Sequence, residues 1–151
     1  MPKKSQHSDP KKRRWSRQFA LQSLYQWEIS KTTVDAIEAQ FLNDENASQV
    51  DWEDYSEILH AVPSSIDEID KHIKRYIARK LEDIDPIELT ILRVATYELL
   101  HRLDVPHRVI LNEALELAKS FGATDGHKFV NGILDKIARE VRVIRLQHPH
   151  A

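Results

Sequence analysis

The sequence predicts an all-α fold, a single-domain bundle of seven helices. Three observations carry the prediction. Apolar residues recur at steps of three and four along most of the chain, no stretch alternates apolar and polar residues between hairpin turns, and only 3 glycines interrupt 151 residues. At 41% hydrophobic content, a chain of this length can bury one core.

A first helix is expected from about Ser16 to Ser30, because Phe19, Ala20, Leu24 and Trp27 fall on helical spacing. Tyr25 beside Leu24 and Trp27 makes it apolar over most of its circumference, the pattern of a helix that is deeply buried or meets a partner. Ile37 and Phe41 mark a second helix over 34–42, followed by a polar, flexible loop over 43–50. Trp52, Tyr55, Leu59 and Val62 give a third, stopped by Pro63. Ser65-Ile66-Asp67-Glu68 reads as a capping box that opens a fourth along Ile66, Ile69, Ile73 and Ile77.

Asp85-Pro86-Ile87-Glu88 repeats that logic, with Asp85 as N-cap, Pro86 at the first helical position and Glu88 reaching back. This fifth helix extends to about His101, and Pro106 separates it from a sixth spanning Val109 to Ser120. The seventh follows Asp125 through Val130, Leu134, Ile137 and Val141. Helices four to seven are rich in branched apolar residues and are expected to form the main bundle. Residues 1–14 are expected as a basic, flexible arm, 15–145 as the helical domain and 146–151 as a disordered tail.

The formal net charge of −2 hides an asymmetry. Residues 1–17 carry seven basic groups against Asp9, a local charge of +6, which leaves −8 on the remaining 134. A basic arm on an acidic body suits a protein that holds nucleic acid at one edge; a solvated leader has the same composition. Zero cysteines exclude disulfides, thiolate catalysis and thiolate zinc sites, and fit a reducing cytoplasm. No apolar run approaches the roughly 18 residues that span a bilayer, and no apolar signal core follows the basic start, so a cytoplasmic protein without a membrane partner is expected.

Catalytic signatures are missing. The eight histidines are scattered without HExxH or other ligand spacing, so no metal site is expected, and no glycine-rich loop for a nucleotide cofactor occurs. Ser120, His127 and Asp125 lack the nucleophile elbow and oxyanion glycines that a hydrolase needs, so no catalytic residues and no cofactor are assigned.

The segment from Phe121 to Gly132 carries contact chemistry instead. Gly122 is placed to end one helix in the left-handed conformation, and Asp125 to cap the next. The free N–H groups of the new helix would then stand beside Lys128 and Phe129, offering charge for phosphate and a ring face for a base. Single-stranded RNA fits that set; an ordinary helical corner with a core Phe129 fits the spacing as well.

These residues resemble the NusB family of bacterial transcription antitermination factors. The resemblance runs from Arg13-Arg14-Trp15-Ser16-Arg17 and Ala20-Leu21-Gln22-Ser23-Leu24-Tyr25-Gln26-Trp27 through Leu92-Arg93-Val94-Ala95-Thr96-Tyr97-Glu98-Leu99. It continues over Asn112 to Gly122 and His127-Lys128-Phe129-Val130-Asn131-Gly132. It implies a seven-helix protein that joins NusE, a small-subunit ribosomal protein, and with it binds boxA RNA in ribosomal RNA leader transcripts. Other Nus factors and RNA polymerase are then reached indirectly.

By position, the resemblance assigns Arg13, Arg14 and Arg17 to an RNA-binding arm, Asp125, Lys128 and Phe129 to a second RNA-contacting segment, and Tyr25 and Glu88 to the surface that faces the ribosomal protein. Gly126 departs from the family pattern, where a serine is common. Some family members self-associate through the partner surface, so a homodimer stays open. The same fold also precedes certain ribosomal RNA cytosine methyltransferases, which is not expected here because no cofactor-binding domain follows. The reading from another class is a helical protein-protein scaffold without specific RNA binding.

Overall fold

Asp9 decides where the chain first turns helical. In the computed structural model, which describes residues 9–143, its carboxylate accepts the backbone N–H of Lys11 at 2.9 Å and Pro10 takes the first helical position. Helix α1 therefore runs Pro10–Ser30, starting well before the expected Ser16 and taking in residues 10–14 of the expected flexible arm. Lysine and arginine are good helix formers on a solvated face, so the missing apolar periodicity concealed the start. The rest of the arm and the expected tail over 146–151 lie outside the described residues.

The chain divides into two compact units, Met1–Ser64 and Ser65–Ala151. In the first, α1 packs against α2 (Val34–Phe41) and α3 (Trp52–Ser64). Thr33 caps α2 by accepting the Ala36 N–H at 3.3 Å. The core is aromatic at its centre: Phe19 meets Phe41 edge-on at 5.4 Å between ring centroids, and Trp52 stands perpendicular to Tyr55 at 5.0 Å. The buried Tyr55 hydroxyl is satisfied by Ser23 at 2.8 Å. The polar stretch 43–50 is tied down, with a 3₁₀ turn over Ala47–Gln49, a bond from Trp52 Nε1 to the Ala47 carbonyl at 3.0 Å and a buried Val50. Pro63 lies inside the last turn of α3 and does not stop it: buried Tyr55, Ile58, Leu59 and Val62 hold the helix to Ser64.

The second unit contains α4 (Ile66–Lys74), α5 (Pro86–His101), α6 (His107–Phe121) and α7 (Gly126–Ala138), the four helices expected to pack together. Seven α-helices and no strand occur among the described residues, as the sequence predicts. Helix α5 packs on α4, α6 and α7, and 12 of its 16 residues are buried. Its start is held by Asp85, whose carboxylate accepts the N–H groups of Ile87 and Glu88, each at 3.1 Å. Its end is closed by Arg142, from a π turn over Arg139–Val143, which donates to the carbonyls of Leu99 at 2.8 Å and of Glu98 and Arg102 at 3.2 Å. Arg93 clamps Asp70 of α4 with two bonds of 2.9 Å.

The capping box at Ser65 does not form. Ser65 makes no side-chain cap bond, Glu68 pairs with His101 at 2.8 Å, and α4 ends at Lys74, short of Ile77. Two measurements follow from these contacts. Asp85→Ala should lower the stability of the protein by about 1 kcal/mol in chemical denaturation, whereas Ser65→Ala should change it by no more than about 0.5 kcal/mol. Burial pushes the Tyr55 phenol up to about 12, although the Ser23 hydrogen bond works to lower it. The unfolded phenol ionises near pH 10, so the stabilisation is complete below about pH 10 and is lost as pH rises toward about 12. Ultraviolet titration should show one tyrosine ionising only as the fold is lost.

Candidate nucleic-acid interface

The corner between α6 and α7 is built differently from its sequence signature. Gly122 is extended (φ −84°, ψ 175°) and not left-handed. Glycine serves there because a Cβ would sit 2.7 Å from the Ala118 carbonyl oxygen. The left-handed residue is Asp125, at φ 66°, a conformation that aspartate tolerates better than most side chains. Asp125 holds the N-cap position of α7 without a side-chain cap bond. Its carbonyl accepts the Lys128 N–H at 3.1 Å, and its carboxylate lies 3.5 Å from Lys128 Nζ. Both side chains are exposed, so this pair is a weak, water-screened one.

Phe129 is half-buried, and the guanidinium of Arg79 lies over its ring at 4.9 Å from the centroid. The ring is thus neither core nor bare: one face is stacked on a cation. Sequence reasoning missed Arg79, which is distant in the chain. Lys74, Arg79 and Lys80 line one open cleft of about 490 Å³, a grouping visible only in the fold.

On α1, Arg14 is exposed, Arg13 half-buried, and Arg17 only 4% exposed. Arg17 is packed although it stands only one turn from exposed Arg14, so its burial and not its helical spacing argues against a solvent-facing phosphate contact. Tyr25 is 36% exposed, and Ile29, one turn on along the same face, is exposed too. Trp27 is half-buried, which leaves an apolar strip on α1.

Glu88 is buried, 6% exposed. Among the described residues its carboxylate makes no bond back to Asp85; it lies against Gly126, where an added Cβ would fall onto it. The residue at the start of α5 is thereby in contact with the start of α7. No hydrogen bond among the described residues joins Ser120, His127 and Asp125 into a relay. No helix of the described residues is long and apolar enough to cross a membrane. One group of metal-ligating type, Asp35, Glu38 and His60, comes together across α2 and α3.

An all-helical chain with a cation-stacked ring, exposed basic groups and an apolar helical strip is a protein that works by contact. It belongs to the NusB family, whose family model matches residues 14–139, a family of transcription antitermination factors and not of enzymes. A transcription antitermination protein NusB of Hahella chejuensis is 49% identical over 131 residues, covering 87% of this chain and 88% of that protein. Its counterpart in Pseudomonas putida strain GB-1 is 52% identical over 131 residues, covering 87% and 79%. A solved structure of T. maritima NusB matches with a TM-score of 0.78 at 33% identity, covering 89% of this chain and 96% of that one.

The Glu88 contact makes a measurable claim. Gly126→Ala should destabilise the protein in the native background and cost less when Glu88 is also alanine, with a coupling of at least about 0.5 kcal/mol in a double-mutant cycle. Additive effects would mean that the carboxylate and Gly126 do not constrain each other.

Proposed function

We propose that this chain acts in transcription antitermination by pairing with the ribosomal protein NusE and binding boxA RNA of ribosomal RNA leader transcripts. With other Nus factors it then reaches RNA polymerase in the cytoplasm and keeps transcription from terminating early. The observation that carries the RNA reading is the half-exposed Phe129 beneath Arg79 with exposed Lys128 beside it. A base can extend that stack, the cations hold phosphate, and the Asp125 carboxylate accepts from a base edge. Arg14, and in part half-buried Arg13, supply further charge from α1, whereas Arg17 is 4% exposed. Tyr25, with Ile29, serves the ribosomal-protein contact, while Glu88, 6% exposed, is the less accessible of the two residues assigned to it.

The scaffold reading draws on one feature, the apolar strip at Tyr25 and Ile29, which would meet a protein whether or not RNA is present. The two readings separate by mutation. Phe129→Asp should weaken boxA RNA binding by 1–3 kcal/mol, roughly 5- to 150-fold, while leaving the melting temperature and NusE binding in place. Tyr25→Asp should do the reverse, reducing NusE binding and sparing RNA binding by the chain alone. A collapse of thermal stability in Phe129→Asp would make the ring a core residue, and RNA binding unchanged in a folded Phe129→Asp protein would leave the scaffold reading in place.

A further inference from the structure

Asp35 and Glu38 stand three residues apart on α2 and so share a face, and His60 of α3 meets them there. His60 Nε2 is 2.8 Å from Glu38 Oε1 and 3.8 Å from Asp35 Oδ1. In a tetrahedral zinc site with bonds of 2.0–2.2 Å, neighbouring ligand atoms are about 3.4 Å apart. The two His60 separations fall on either side of that value and all three ligand atoms lie within 4.8 Å of one another, so side-chain rotation can bring them onto one ion.

The surroundings favour a cation. The three residues line an open cleft of about 800 Å³ together with Glu53 and Glu57, and no lysine or arginine is in its lining. Carboxylates gathered in a concave surface raise the local concentration of cations. Glu38 is the anchored member, with a side chain 25% exposed and a hydrogen bond from Ser56 that orients it. Asp35, 89% exposed, swings in at little steric cost.

We propose that Asp35, Glu38 and His60 bind one divalent transition-metal cation, with zinc as the best match, bridging α2 and α3 and leaving the remaining coordination positions to water. One imidazole with two carboxylates selects zinc, cobalt or nickel over magnesium, which prefers oxygen alone. The histidines are scattered in sequence, and the fold supplies the convergence that ligand spacing did not. Occupancy would lock α2 to α3.

The test is thermal unfolding of the full chain with added zinc, paired with titration calorimetry for stoichiometry. At a hundredfold excess over Kd, zinc should raise the melting temperature by roughly 5 °C, and magnesium at the same concentration should not. His60→Ala and Asp35→Asn change exposed side chains and should fold unaided, and each should abolish the zinc-dependent rise and one calorimetric site. No rise with zinc overturns the proposal and leaves His60 and Glu38 as an ion pair across two helices. A rise that both variants retain also overturns it, since the metal would then sit on other histidines.

Discussion

The burial of α5 on almost every side is the constraint on which the second unit depends. A helix with 12 of 16 residues out of water cannot leave its end groups to solvent. Asp85 satisfies the N–H groups at one end, and Arg142 gathers three carbonyls at the other. Arg142 comes from the far end of the chain, so closing α5 also fixes the turn that follows α7. At its first turn α5 presents Glu88 to Gly126, the first residue of α7. Lys128 and Phe129 thus stand on a helix whose first residue packs against a buried carboxylate, the kind of rigid support that the proposed RNA contact would need.

Most helices were legible because burial writes a period into the sequence. Ile37 and Phe41, Tyr55 and Leu59, and Leu92 and Leu99 each report the buried side of a helix directly. The failures share a physical cause: they are places where a local rule was outbid by a tertiary contact or carried no apolar signal. The first turns of α1 are charged and so have no period, although Asp9-Pro10 is a cap signature. At Ser65 the acid of the supposed capping box is drawn to His101, and at Glu88 the reach back to Asp85 is replaced by Gly126.

The residues proposed for contact divide in the same way. Tyr25, Lys128 and Phe129 are readable from local pattern and are at least partly exposed where the pattern puts them. Arg79 is not readable, because its role over Phe129 comes from a turn distant in sequence. Arg17 differs in the opposite sense: it belongs to a basic run, yet it is buried. Within that run only the geometry separates exposed Arg14 from half-buried Arg13 and buried Arg17. The same lesson applies to His60, one of eight histidines in sequence and a neighbour of two carboxylates in space.

The central claim is that this helical chain reads an RNA sequence and does so in concert with a ribosomal protein. The most direct measurement is fluorescence anisotropy of labelled boxA RNA and of a scrambled RNA of equal composition, titrated with the chain at one fixed salt concentration, with and without NusE. The account predicts a preference for boxA that sharpens when NusE is present. Equal, weak binding of both RNAs in both conditions would contradict it.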